Sequence, residues 1–274
     1  MFVRTLDELA AAGRVLDLAS GTRSARYIVA ADRIGYSYND NRGKAGNEVV
    51  LQYKNHWEAN FIIEGRGEVT DLSSGQTWVL ESGVMYVVGP NDRHRLKLTE
   101  DSHFVSIFNP PLKGDERHDS DGGYPSDTPA AATDRRMFVK RADEMRAAGL
   151  EMTYPGRKAA TLRMLTKADD LGFGFSDVHF GAGADPIYWY KNHWEANHIV
   201  SGEGEVEDLT TGEKWALGPG SAYYVGPKDR HQLRCRTDVH LLSIFCPPLR
   251  GDERHDADGA LEPSGPVPPG PEGY

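Results

Sequence analysis

Tyr53-Lys54-Asn55-His56-Trp57-Glu58-Ala59-Asn60 returns letter for letter as Tyr190-Lys191-Asn192-His193-Trp194-Glu195-Ala196-Asn197, 137 residues further on. The copying extends outward from there. Glu64-Gly65-Arg66-Gly67-Glu68-Val69 is echoed by Ser201-Gly202-Glu203-Gly204-Glu205-Val206, and Gly89-Pro90-Asn91-Asp92-Arg93-His94 by Gly226-Pro227-Lys228-Asp229-Arg230-His231. Gly114-Asp115-Glu116-Arg117-His118-Asp119 reappears as Gly251-Asp252-Glu253-Arg254-His255-Asp256 at the same offset. A period this long is a duplicated domain, not a solenoid repeat. Alternate side chains of a strand share a face, so Glu58, Asn60 and Ile62 point one way while Trp57, Ala59, Phe61 and Ile63 point the other. A carboxylate on a face shared with isoleucine is either solvated or, if that face is interior, paired or ligated.

The duplication divides the 274 residues into two domains, each large enough for its own core. Met1-Phe2-Val3-Arg4 is matched by Met137-Phe138-Val139-Lys140, and each start leads into a helix-like segment, Thr5 to Ala12 and Arg141 to Ala148, closed by Gly13 and Gly149. The expected domains are 1–118 and 137–259. Residues 119–136, rich in Asp, Gly, Pro and Ala, read as a linker, and the Pro/Gly-rich stretch 260–274 reads as a disordered tail. In the first copy, strands are expected at 27–31, 35–39, 49–54, 57–63, 68–72, 77–80, 85–88, 95–99 and 104–108, with glycine-bearing turns between the later ones. Many short, evenly spaced strands predict an all-β fold of two tandem jelly-roll barrels, each preceded by a short helix.

A net charge of -10, from 41 acidic against 31 basic residues with no basic cluster, argues against nucleic acid and anionic membrane surfaces. A small-molecule partner is the better expectation. The only cysteines, Cys235 and Cys246, have no counterparts in the first copy, where Lys97 and Asn109 stand, so buried free thiols are expected rather than a disulfide framework. The acidic residues near the start, Asp7 and Glu8, break any signal-like apolar run, and no window approaches a membrane span, which together predict a cytoplasmic protein.

Glu58, Gly65 and His94, set among glycine turns, resemble the two halves of the cupin signature, in which a Glu and a His bind a metal inside a jelly roll; Glu195, Gly202 and His231 repeat the pattern. The His-x-His that most metal cupins place before the Glu is missing, since Gln52 and Lys54, and Trp189 and Lys191, occupy those positions. The Tyr-Lys-x-His-Trp-Glu-Ala core and the ending Phe108, Pro110, Leu112, Gly114, Glu116, His118, repeated as Phe245, Pro247, Leu249, Gly251, Glu253, His255, are similar to ectoine synthase, twice over. That resemblance implies iron held by Glu58, Tyr86 and His94 in one barrel and by Glu195, Tyr223 and His231 in the other. It further implies a metal-dependent closure of an N-acylated diamino acid with loss of water, the free amine attacking an amide carbonyl.

By the same resemblance the catalytic residues are Tyr53, His56, Glu116 and His118, with Tyr190, His193, Glu253 and His255 as their copies. A carboxylate and an imidazole two residues apart can carry protons to the amine and the departing oxygen. Ser24, Arg26 and Asn60, with Thr161, Arg163 and Asn197, are the expected substrate contacts, an arginine suiting a carboxylate. The family's tryptophan two residues before Ser24 is here Thr22, or Ala159 in the second copy, and its early-strand threonine falls on Asn41 and Val178. These departures are on the substrate side, so metal and chemistry are expected to be kept more closely than substrate. An oxygen-using non-haem iron bicupin is the alternative reading, because few protein ligands leave positions open. Ectoine synthases pair as dimers, so the fused chain is expected either as a homo-oligomer or as a monomer mimicking that dimer. His198 is expected in packing, His103 and His240 as an equivalent structural pair, and 116–119 has a solvated charge run as its plain alternative.

Overall fold

The computed structural model describes residues 1–126, 130 and 133–274. Of the expected linker, 127–129 and 131–132 lie outside the described residues. The chain forms two compact units, Leu9–Glu144 and Met1–Glu8 with Met145–Tyr274, called here the N-terminal and C-terminal barrels. Each is a jelly roll of a seven-stranded and a four-stranded antiparallel sheet.

In the N-terminal barrel the larger sheet runs, in spatial order, Phe138–Arg141, Val84–Val88, Trp57–Glu64, Ser102–Asn109, Ser37–Gly43, Thr22–Ile28 and Val15–Asp17. The smaller sheet is Glu48–Leu51, His94–Leu98, Gly67–Asp71 and Thr77–Leu80. The C-terminal barrel repeats the plan, with Phe2–Arg4 as the edge strand beside Ala222–Val225. The repeats thus exchange edge strands, because the strand that opens each repeat closes the sheet of the other barrel. This moves the domain limits away from 1–118 and 137–259. The exchange is compatible with the sequence because Met-Phe-Val-Arg and Met-Phe-Val-Lys carry the same apolar alternation and fit either edge. The two helices, Leu6–Ala11 and Ala142–Ala147, fall inside the expected segments.

Side chains from both sheets fill each barrel. The N-terminal core includes Ile62, Val69, Leu80, Val88, Leu98 and Phe104, and the C-terminal core Ile199, Val206, Leu217, Val225, Leu233 and Leu241. The later strands lie where the alternation puts them. The early ones do not: the expected 27–31 strand is Thr22–Ile28, with a 3-10 turn at Ala30–Asp32, and Val15–Asp17 was unforeseen. A register shift between Arg26 and Ile28 lets Tyr27 and Ile28 both be buried, which breaks the period of two that a strand reading follows.

The 260–274 tail is packed rather than disordered. Trp194 donates its indole N–H to the Pro268 carbonyl at 3.1 Å, Tyr274 rests on the Trp194 ring at 4.4 Å between centroids, and Leu261 is buried. At Gly270, with φ at 78°, an added Cβ would stand 2.2 Å from the Trp194 ring, so only glycine lets the chain pass this close. A buried indole needs both an acceptor and apolar cover, and the Pro/Gly run supplies them. The linker behaves alike: Tyr124 is buried, Arg135 stacks on Trp57, and Arg136 donates to Asp92 at 2.7 Å.

The two cysteines are free and buried. No helix among the described residues is long and apolar enough to cross a membrane. His103 and His240 make equivalent contacts, to Asp40 at 2.9 Å and to Asp177 at 2.6 Å. His198 is buried.

Candidate active site

Each barrel encloses a pocket. In the N-terminal barrel its polar lining includes Arg26, Asn41, Tyr53, Glu58, Tyr86 and His118. Its C-terminal counterpart has Arg163, Val178, Tyr190, Glu195, Tyr223 and His255 at the equivalent positions. Strand alternation builds the site: Glu58 and Asn60 project inward from Trp57–Glu64, Asn60 pairs directly with Tyr86 on the neighbouring strand, and His94 comes from the opposite sheet.

Glu58 is 4% exposed and one of its carboxylate oxygens has no hydrogen-bond partner. Burial pushes its pKa up to about 7 against the opposing hydrogen bonds from Asn60 and Ser106, and Glu195 is pushed up to about 8 for the same reason. His94 is fully buried. Its Nδ1 faces the Asp92 carbonyl at 3.1 Å, and because a carbonyl only accepts, Nδ1 carries the proton. Nε2 is left as a bare lone pair without a partner, and burial lowers the ring's pKa, which keeps it neutral. His231 has the same arrangement, with Nδ1 at 3.2 Å from the Asp229 carbonyl, an unpartnered Nε2, and a pKa lowered by burial to about 4. Burial also raises the Tyr86 and Tyr223 hydroxyl pKa values well above the usual tyrosine range, with Glu58 and Glu195 adding to the effect. A buried carboxylate oxygen and a bare imidazole nitrogen, both unpartnered, are costly alone and suited to a divalent cation. The residues present therefore fit a metal.

The expected catalytic residues separate into two groups. Tyr53 and His118 line the pocket and are hydrogen-bonded at 2.9 Å, and Tyr190 and His255 repeat this at 3.0 Å. His118 is brought to a pKa of about 4 by burial and then by Arg26; His255 is brought to about 3 by burial, Arg157 and Arg163. The other group stands behind the wall. His56 holds the Pro110 carbonyl at 2.7 Å and packs edge-on against Phe108. His193 reaches Ser264 at 3.1 Å and packs likewise on Phe245. Glu116 accepts the backbone N–H groups of Lys113 and Gly114, and Glu253 those of Arg250 and Gly251. The charge run is thus neither solvated throughout nor chemical throughout: its glutamate shapes a turn and its histidine enters the pocket.

On the substrate side Arg26 and Asn60 line the N-terminal pocket, while Ser24 sits behind Asn41, donating to it at 2.6 Å. Asn41 in turn donates to Ser106 at 3.0 Å, and Ser106 donates to Asn60, so one polar chain spans the pocket floor. Thr161, Arg163 and Asn197 all line the C-terminal pocket. Thr22 and Ala159, which replace the family's tryptophan, also line their pockets. Tyr124 was missed. It stacks on His118 at 4.4 Å and accepts from Arg26 at 3.2 Å, though its place within a linker-like stretch gave no sign of this. Tyr154 and Tyr188 were missed as well, since neither has an aromatic counterpart in the first copy.

The Ectoine synthase family model matches residues 1–128 and again 137–264. The L-ectoine synthase of Oceanobacillus iheyensis is 45% identical over 45% of this chain and 94% of its own length. That of Wolinella succinogenes is 38% identical over 46% of this chain and 96% of its own. Each relative corresponds to a single repeat. Among solved structures, oxalate decarboxylase from Lactobacillus farciminis, in a formate complex, is 11% identical with a TM-score of 0.66 over 91% of this chain and 87% of its own, a likeness of fold: two cupin barrels in tandem. Matched twice along its length and built as two cupin jelly rolls, the chain belongs to the ectoine synthase family and is an ectoine synthase-like enzyme.

Proposed function

We propose that the protein is a metal-dependent cyclising dehydratase that closes an N-acylated diamino acid into a ring with loss of water. The observation that carries this reading is the grouping in one pocket of a Tyr–His pair, an arginine and a buried carboxylate with an unpartnered oxygen, while the His94 ring, its Nε2 also unpartnered, stands 6.3 Å from the lining Tyr53 and Tyr86 rings. Glu58, Tyr86 and His94, with Glu195, Tyr223 and His231 as their copies, would hold a divalent metal, iron by resemblance, which when bound supplies Lewis-acid polarisation of the acyl oxygen.

Arg26 receives the substrate carboxylate and fixes which end of the molecule faces Glu58. The aromatic wall of Tyr53, Phe104, Phe108 and Tyr124 excludes bulk water, which favours loss of water over its addition. Neutral His118 takes a proton from the attacking amine, and its hydrogen bond to Tyr53 provides a path to return one to the departing oxygen. His56 and Glu116 act as positioning residues, fixing the turn at Pro110–Gly114 from which His118 follows. Edge strands drawn from opposite repeats support a single chain standing in for a pair of single-barrel relatives. Two free buried thiols suit a cytoplasmic setting.

The test is anaerobic purification with metal analysis, then incubation with N-γ-acetyl-2,4-diaminobutyrate and mass detection of a product lighter by one water. Product formation sustains the reading. Bound metal with no product, together with oxygen consumption on other substrates, would replace it with the oxygen-using alternative.

A further inference from the structure

The two pockets differ at the point where a cation meets the ligand. Arg26 and Arg163 occupy equivalent strand positions, opposite Asn39 and Ser176. In the C-terminal barrel Arg163 is already engaged, donating through Nη1 to the Glu253 carboxylate at 2.8 Å and through Nη2 to the Glu253 carbonyl at 2.9 Å, with both side chains buried. In the N-terminal barrel Glu116 keeps its two backbone bonds but, among the described residues, forms no ion pair with Arg26. Arg26 instead donates to the Tyr124 hydroxyl, and its Nε has no partner. Tyr124 is replaced by Leu261 in the second copy. Diverting Arg163 to a ligand would leave the Glu253 charge buried and less compensated, a cost Arg26 does not incur.

The second copy has another cation nearby, and its origin is visible in the register. Leu18 and Tyr154 hold equivalent positions at the ends of their strands, as do Thr22 and Ala159 across from them. Residues 19–21 join the first pair and residues 155–158 the second, so the one extra residue of the second copy enters here, at the pocket rim. The longer connection is a 3-10 turn, Pro155–Arg157, ended by Lys158 in the left-handed region at φ 49°. It places the Arg157 guanidinium over the Tyr188 ring, 4.9 Å from the centroid, with Nη1 buried and without a hydrogen-bond partner. Tyr188 lines the pocket with Tyr154 and His255, and its ring lies 4.9 Å from that of His255.

We propose that Arg157 is the anion anchor of the C-terminal pocket, receiving the carboxylate of a small amino-acid-derived ligand in place of the captive Arg163. The ligand class rests on the reading under Proposed function; the change of anchor rests on the ion pair and the longer turn. A carboxylate held from the turn enters beside Tyr154, Tyr188 and His255 rather than from the strand floor. The two barrels therefore select ligands of different reach or side-chain character.

The test uses the full-length, metal-loaded chain and isothermal titration with N-γ-acetyl-2,4-diaminobutyrate and with its primary carboxamide. Wild type is expected to show two sites for the acid, and Arg26→Ala to leave one. Adding Arg157→Ala should then weaken acid binding about tenfold or more while carboxamide binding stays within about twofold, and Arg157→Lys should recover part of the loss. Unchanged thermal unfolding of the Arg157 variants would exclude misfolding as the cause. An unaltered affinity for the acid, or an equal loss for acid and carboxamide, overturns the assignment. Loss of all acid binding in Arg26→Ala alone overturns it too, leaving the N-terminal reading intact. If wild type binds the acid in neither barrel, the proposed substrate class falls with it.

Discussion

The Tyr53 hydroxyl lies 2.9 Å from His118 Nε2, and Tyr190 holds His255 at 3.0 Å in the second barrel. Burial raises both tyrosines' pKa values well above the usual range and lowers those of both histidines, so each pair is neutral at physiological pH and shares one mobile proton. With the C-terminal site silenced by His231→Ala, Tyr53→Phe should reduce turnover about 10²-fold with little change in KM. His118→Ala should cost a similar factor, and the double variant little more than either alone, because the two act as one unit. Additive losses in the double-variant kinetics would mean that the hydrogen bond is incidental.

Glu58→Ala or His94→Ala should remove metal from the N-terminal barrel only, halving the metal bound per chain by elemental analysis. Glu195→Ala or His231→Ala should halve it independently. Full metal content in all four variants would rule out these ligands.

His231 is buried, with its pKa lowered from 6.5 to about 4; His193 is likewise at about 4 and His255 at about 3. The unfolded chain binds these protons more readily than the folded one between the two values. The histidine contribution to the stability of the metal-free protein is therefore fully present above about pH 6.5 and falls as pH drops towards 4, opposed by Glu58 and Glu195, whose folded pKa values, raised to about 7 and about 8, stabilise the fold as pH drops. His231 alone accounts for on the order of 3 kcal/mol of that loss. Urea unfolding of chelated wild type and His231→Phe at several pH values isolates the His231 share: the variant should lose less stability between pH 6.5 and 4 than wild type, and parallel profiles would contradict the assignment.

Phe2 stacks on Tyr224 at 4.5 Å, on the strand next to Tyr223. Phe2→Ala should accordingly weaken the barrel built from the other end of the chain, by about 1 kcal/mol or more, and loosen Tyr223 before anything in the N-terminal barrel. Hydrogen exchange resolved by segment would locate the change. Extra exchange confined to residues 9–144 would speak against the strand exchange.

Deleting residues 265–274 should uncover Trp194, shifting its fluorescence to the red and lowering the unfolding temperature of the C-terminal barrel. A spectrum identical to that of the intact chain would mean that the tail leaves the indole exposed in solution.

What the sequence by itself determined follows from local rules. The 137-residue repeat set two barrels, and strand parity put Glu58, Asn60 and Ile62 on one face, which the tertiary structure turned inward. Those relations depend on the backbone period and on glycine turns, which are written in neighbouring residues. Other features were decided only by the tertiary structure, because they depend on which distant group satisfies a buried atom. Glu116 and His118 look like one proton-carrying pair, yet the carboxylate is taken by two backbone amides and only the imidazole reaches the pocket. Arg26 and Arg163 are the same letter at the same place, and differ because Glu253 captures one while Tyr124 leaves the other available. Phe2 and Phe138 head matching segments, and either could close either sheet by pattern alone; the fold assigns each to the other repeat's barrel. A Pro/Gly tail has no core of its own, and its order comes from distant groups that it covers or meets, the Trp194 indole and Lys228, Lys167 and His193 among them.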